Sequence, residues 1–322
     1  MDEFQLIDRF FCRQTLSDGV KVGIGDDGAV LTTRGDQDLV VVTDTLVEGV
    51  HFSSDVEPSD LGHKALAVNL SDLAAMGAEP DWATLNLVLP TADSKWLEEF
   101  SIGFFSLADR CQVTLVGGDT SCGPLNLTVT AGGWVPRGQA LCRAGARNGD
   151  LIYVSGTVGD AALGLQLVSG PDGLSEHGEN RVVERLRRPE PRILLGQALR
   201  PLATAAIDLS DGLAADLAHV AVASGGLGAV IEEDRLPLSA EALELRTRKQ
   251  LIPIALGGGD DYELCFCVPP EHREEIDRLG NQLRLPLTMI GQMDTMPGIW
   301  LVGESGVREE YRSGGHLHHW AD

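Results

Sequence analysis

The chain has 322 residues, 43% of them apolar, and 48 Asp and Glu against 25 Lys and Arg, for a formal net charge of −23. That charge excludes a nucleic-acid binder, which must neutralise phosphates with Lys and Arg, and it excludes an anionic membrane surface as a partner. The length fits one large domain or two ordinary ones with ample core material.

In chain order, residues 1–17 predict a short helix. The opening MDEFQLIDRF is acidic and lacks the basic stretch and apolar run of a secretory signal. No segment reaches the roughly 18 apolar residues of a membrane span, so a cytoplasmic protein is expected. Strand-like runs follow near 20–24, 28–32, 38–43, 82–90, 112–116 and 125–135. Two amphipathic helices fit between them. The first starts at about Ser59 as N-cap and ends at Met76, with Gly77 as a stop and Pro80 beyond. The second covers about 93–110 with Asp93 or Ser94 at its start. In the first helix Leu66, Leu70, Leu73 and Met76 form the inward stripe, and Asn69 and Asp72 share another flank.

The turn-rich RAGARNGD (143–150) predicts a joint, dividing the chain into domains 1–142 and 143–322. Beyond it the pattern gives a strand at 151–157, a helix near 159–168, a Gly-rich polar loop at 169–180 and a helix near 190–200. Then come the strand TAAID, a helix over about 212–223, and strands near 228–231, 262–268, 287–292 and 299–303. Strands and helices mix in both halves without a long regular βαβαβ series, which predicts a mixed α/β (α+β) fold of two domains. Six cysteines are scattered. Cys265 and Cys267 share one face of YELCFCV and read as two buried thiols, which fits a reducing compartment.

The chemistry is carried by aspartates. They occur in GIGDDGAV (23–30), VVVTDT (40–45), NLSDLAAMGA (69–78), VGGDTS (116–121) and IDLSDG (207–212). Asp44, Asp119 and Asp208 follow apolar runs, so each is expected just past the C-terminal end of a strand, where open sheets place ligands. Carboxylate oxygens in such numbers, with no Walker lysine, suit magnesium ions shared with substrate phosphates. GIGDDG fits the dinucleotide pattern GxGxxG, but a strand and a turn follow it where a helix is required. Its two aspartates would also repel a bare pyrophosphate. The catalytic-loop and Asp-Phe-Gly signatures of protein kinases and the GxSxG elbow of hydrolases are absent. The helix after IDLSDG offers an N-terminus that could hold a phosphate. The tract HLHH (316–319) receives no metal.

GIGDDGAV, TDTLVEGVHF, KALAVNLSDLAAMGA, LVGGDTS, LSDG and GGGDDYELCF, in this order over nearly the whole chain, resemble the thiamine-monophosphate kinase family. The resemblance implies the two-domain fold shared with aminoimidazole-ribonucleotide synthetase, selenophosphate synthetase and a hydrogenase-maturation protein. It implies a homodimer paired through strands of the N-terminal domains, and a C-terminal domain that closes the active-site cleft. It also implies ATP as co-substrate, several magnesium ions, and direct in-line transfer to thiamine phosphate. Carried onto this chain, the implied metal ligands are Asp27, Thr43, Asp44, Asp72, Asp119, Asp208 and Asp211. Gly118, Asp119, Arg143 and Ser210 are implied for ATP, and His51, Asp260 and a residue near the C-terminus, Trp320 or His316, for thiamine phosphate. The acceptor phosphate is already ionised, so no general base is implied. Three positions depart from the family pattern: Asp260 stands where Glu is usual, Val42 where Ser or Thr is frequent, and GGHLHHW replaces the usual Gly-aromatic-Asp-His-Phe ending.

Overall fold

Apolar alternation builds the first sheet and continuous apolar runs build the second. The computed structural model describes residues 7, 9–12, 19–22, 30–169 and 181–312. The chain forms two compact units, Met1–Leu73 with Ala78–Ala140, and Ala74–Gly77 with Leu141–Asp322.

The first unit contains β1 (Val20–Val22), β2 (Val30–Leu31), β3 (Gln37–Val47), α1 (Pro58–Ala75), β4 (Glu79–Leu89), α2 (Ser94–Arg110), β5 (Thr114–Cys122) and β6 (Asn126–Pro136). β1 and β2 pair as a small ribbon, and four strands make a sheet in the order β3-β6-β4-β5. Only the β4–β5 pair is parallel. One face carries Leu46, Leu127, Val129, Ala131, Leu85 and Leu87, all buried. The other carries Thr43 and Thr45, whose hydroxyls meet those of Thr130 and Thr128 at 3.0 and 2.8 Å.

Helix α1 corrects the amphipathic expectation. It is buried on every side from Leu61 to Ser71, so it has no solvent face. Its C-terminus follows the sequence signal. Gly77 takes φ +68, and the N–H groups of Gly77 and Ala78 bond the carbonyls of Ala74 and Leu73, a closure that favours glycine. At the start of α2 the Asp93 carboxylate accepts from the N–H groups of Lys95 and Trp96 at 2.8 and 3.4 Å. Gly62 and Gly103 bring α1 and α2 into backbone contact. A Cβ on either would overlap the carbonyl oxygen of Phe100 or Ser59.

The second unit contains β7 (Leu151–Ser155), α3 (Asp160–Ser169), α4 (Arg181–Arg187), α5 (Ile193–Leu199), β8 (Ala205–Asp208), α6 (Leu213–Ala223) and β9 (Gly228–Glu232). It continues with α7 (Ala240–Leu245), α8 (Arg248–Gly257), β10 (Leu264–Val268), α9 (Arg273–Leu283), β11 (Leu287–Asp294), β12 (Gly298–Val302) and β13 (Arg308–Tyr311). Its sheet runs β13-β12-β9-β11-β7-β10-β8. The central strands are covered on both faces. Ile152, Val154, Cys265 and Cys267 belong to the core that includes α6. Tyr153, Leu264 and Phe266 belong to the opposite core with Leu195 and Leu199 of α5, where the rings of Tyr153 and Phe266 stack at 5.6 Å. Burial pushes both strand thiols up, away from ionisation. The sequence reading missed α4, α7, α8, α9 and β13. Its helix near 190–200 starts only at Ile193, because Pro189 and Pro191 keep the chain before them out of helical geometry.

Candidate active site

The first unit holds Thr43, Asp44, His51, Asp72, Gly118 and Asp119. Two of these correct the expectation of carboxylates beyond strand ends. Asp44 lies within β3, and Asp119 lies within β5. The cause is the same at both: Thr and Gly continue the strand because a neighbouring strand, β6 for β3 and β4 for β5, pairs with their backbone. Strand alternation then separates Thr43 from Asp44. Asp44 points with Val42 and Leu46, whereas the Thr43 hydroxyl donates to the Val129 carbonyl at 3.2 Å on the Thr130 side. Asp119 pairs with Asn86, Asn86 with Thr128, and Thr128 with Thr45. Asp119 therefore shares the polar face with Thr43. It lies on the opposite edge strand, three strand spacings of about 4.8 Å away, or roughly 14 Å. Within one copy the sheet does not bring Asp119 and Thr43 together.

Gly118, at φ +150, runs so close to β4 that a Cβ would overlap the Leu85 carbonyl oxygen. This explains a glycine just before Asp119. Asp72, half-buried, stands one helical turn from Asn69 on α1. Asn69 is fully buried. Its Nδ2 donates to the Ala65 carbonyl at 3.1 Å, and its Oδ1 has no partner among the described residues. His51 Nδ1 accepts from the Val47 N–H at 3.0 Å, which leaves the proton of the neutral ring on Nε2.

The second unit holds Arg143, Asp208, Ser210, Asp211 and Asp260. Asp208 is the last residue of β8, at the strand's end and not past it, and is buried. Ser210 and Asp211 follow it, half-buried. The helix N-terminus beyond them is already used: the Asp216 carboxylate takes the N–H groups of Asp211 and Gly212, both at 3.1 Å. The sequence reading missed Asp216, because it sits inside an apolar helix and resembles an ordinary polar position. Burial pushes its carboxyl up to about 8, and Asp208 and Asp211 reinforce this. Three carboxylates thus crowd one strand end, a field that a divalent cation would relieve, and hard oxygen donors suit magnesium. Among the described residues no three His, Cys, Asp or Glu side chains are placed as a ready-made metal cage. Magnesium does not require one, since it keeps waters and substrate phosphates as ligands.

Asp260 takes φ +69. Its N–H bonds the Ser210 carbonyl at 2.9 Å, and its Oδ1 accepts from the Tyr262 hydroxyl at 3.1 Å. The loop bearing Asp260 is thereby stitched to the segment bearing Ser210. Arg143 is exposed, and its carbonyl accepts from Ser224 Oγ at 3.3 Å. Asp27 and Trp320 lie outside the described residues.

Residues 25–135 match the family model of the AIR synthase related protein N-terminal domain, and residues 147–299 that of the AIR synthase related protein C-terminal domain. The chain is 50% identical over 293 residues to the thiamine-monophosphate kinase of Salmonella typhimurium, covering 90% of each chain. A crystal structure of thiamine-monophosphate kinase from Stenotrophomonas maltophilia is similar at 48% identity and a TM-score of 0.86, over 94% of this chain and 97% of that one. AaThiL complexed with AMPPCP and TMP is similar at 32% identity and a TM-score of 0.77, over 97% and 94%.

Proposed function

The chain belongs to the AIR synthase related family and, within it, to the thiamine-monophosphate kinases, and we propose that it works by direct, metal-assisted phosphoryl transfer between two bound phosphate esters. The activity that follows from membership is ATP-dependent phosphorylation of thiamine phosphate to thiamine diphosphate. The observation that carries this reading is the AaThiL complex, in which a near-relative holds AMPPCP, an ATP analogue with a methylene bridge, together with TMP.

The acceptor oxygen is already an anion, so the barrier lies in bringing two polyanions together. Such transfers are catalysed by positioning and charge stabilisation. Magnesium, when bound, neutralises the phosphate oxygens of both substrates. Asp27, Asp44, Asp72, Asp119, Asp208 and Asp211 are the carboxylates that would hold it. A contribution from Thr43 would come from its main-chain oxygen, since its hydroxyl is committed to Thr130 and Val129. Gly118, Asp119, Arg143 and Ser210 would bind ATP, with Arg143 as a fixed positive charge. His51, offering Nε2–H, and Asp260 would orient thiamine phosphate, with Trp320 as the aromatic partner of the thiamine. No side chain needs to act as a general base.

The edges of the first sheet support a homodimer. Both edge strands of the first unit, β3 and β5, lack a neighbour on one side among the described residues. The face of β3 that carries Thr43 also presents Leu39 and Val41, 46% and 55% exposed. Two such sheets joined edge to edge would close a barrel, hide that face, and bring the Asp119 of a second copy toward the face of β3 that carries Thr43. No described helix is long and apolar enough to cross a membrane, and the six cysteines are free thiols, which supports a reducing, cytoplasmic setting.

The test is ADP formation from ATP and magnesium with thiamine phosphate, and separately with thiamine, as acceptor. Turnover is expected only with thiamine phosphate, and removal of magnesium by EDTA is expected to abolish it. Asp44→Asn and Asp72→Asn are expected to lower turnover by at least about a hundredfold while keeping the circular dichroism of the wild type. Wild-type turnover in either variant would remove that residue from the metal set.

A further inference from the structure

Glu263 is 1% exposed, yet four donors converge on it. Its Oε2 accepts from Ser155 Oγ at 2.5 Å and from Arg192 Nε at 2.6 Å. Its Oε1 accepts from the Arg192 Nη2, completing a fork, and from Arg185 Nη1 at 3.3 Å. Arg185 also reaches Asp160 Oδ2 at 3.4 Å, and Asp160 accepts from Thr157 Oγ1 at 2.6 Å and Ser239 Oγ at 2.5 Å. Ser155 Oγ in turn accepts from the Leu264 N–H at 2.9 Å. Buried ion pairs of this kind add little stability over a well-packed apolar pair, because desolvation offsets the attraction. Stability alone is therefore a weak reason for so much charge here.

What Glu263 borders gives a better reason. The loop just before it, Gly258–Tyr262, holds two non-glycine residues in left-handed geometry, Asp260 at φ +69 and Tyr262 at φ +50. Such a backbone persists only when its surroundings fix it. At the middle of the loop the Asp261 carboxylate accepts from the N–H groups of Gly159 and Ala161 at 2.6 and 3.2 Å. Along its length, Asp260 N–H bonds the Ser210 carbonyl at 2.9 Å, Tyr262 N–H bonds the Leu209 carbonyl at 2.8 Å, and Leu209 N–H bonds the Glu263 carbonyl at 2.8 Å. At its end stands the Arg192 fork on Glu263.

We propose that Arg192 and Glu263 are positioning residues for the acceptor substrate: the buried fork fixes the strained loop that presents Asp260 to thiamine phosphate. This rests on the assignment of Asp260 to that substrate. Neither residue touches the reacting atoms. They act by holding the carboxylate of Asp260 at one place and angle.

Two variants test it. Arg192→Lys keeps the charge but cannot make the parallel bonds of the fork. Arg192→Met with Glu263→Gln removes both charges together, so no lone charge is left buried. In each, KM for thiamine phosphate is expected to rise about tenfold, with KM for ATP and kcat within about twofold of wild type. Amide hydrogen exchange of the intact protein is expected to accelerate at 209–212 and 260–263 and to stay unchanged in β7 and β10. Unchanged KM values with only a lower melting temperature would make the pair a plain structural anchor and overturn the proposal. Equal rises in both KM values, or a fall in kcat alone, overturn it as well. Wild-type protein without turnover on thiamine phosphate would instead overturn the functional reading, and the exchange data would still decide whether the fork fixes the loop.

Discussion

Asp261 and His51 show what single side chains contribute. Burial is the main cause that pushes the Asp261 carboxyl up to about 8. The N–H groups of Gly159 and Ala161 oppose it, and Asp160 and Glu263 reinforce it. An unfolded Asp loses its proton near about 3.9. Between about pH 4 and pH 8 the folded chain therefore keeps a proton that the unfolded chain has released, so stability falls as pH rises through that window and levels off above it. Asp261→Asn cannot ionise and is expected to flatten part of this slope. Melting temperatures of both proteins from about pH 5 to pH 9 check it, and an undiminished slope contradicts it. His51 uses Nδ1 internally, and His51→Ala is expected to raise KM for thiamine phosphate about tenfold with ATP nearly unaffected. An effect confined to ATP would reassign the residue. Asp44, Asp72 and Asp208 were legible in the sequence because an acid among apolar residues stands out. Asp216 and Glu263 were not, since what marks them is the set of donors that the folded backbone and side chains bring to each.

At the scale of elements, glycines mark where backbones touch. Gly103→Ala would drive a methyl group into the Ser59 carbonyl at the crossing of α1 and α2. It is expected to destabilise the protein by about 1–3 kcal/mol, as overpacking does, measurable by urea denaturation. Gly118→Ala would press on Leu85 of β4 beside Asp119. It is expected to raise KM for ATP severalfold in soluble protein, and an unchanged KM would detach β5 from nucleotide binding. Helix α2 was read from its cap and α1 from its glycine stop, because those signals are local. The length of β3 and β5 was underread, since Thr and Gly look like loop residues until a neighbouring strand pairs with them. Helices α7, α8 and α9 went unread for the opposite reason: their apolar faces are short and only packing selects them. In α8, Pro253 lies inside the helix, which by itself argues against one.

For the whole molecule, the decisive feature is an acidic chain whose Asp-bearing motifs lie on several separate strands and helices. If the second copy completes the site, Val41→Lys on the exposed face of β3 should lower both association and turnover together. Sedimentation velocity and the ADP assay check it, and a fully active monomer would contradict it. The sequence by itself determined the family, the two-part mixed α/β organisation and the identity of the acidic motifs, because these are properties of order and local pattern. Only the tertiary structure decided that Thr43 and Asp44 face opposite ways, that Asp119 lies on the far edge of their sheet, and that Glu263 is gripped by Arg192. Those facts depend on strand register and on which distant segments meet, and long-range pairing leaves no local mark on the residues it joins.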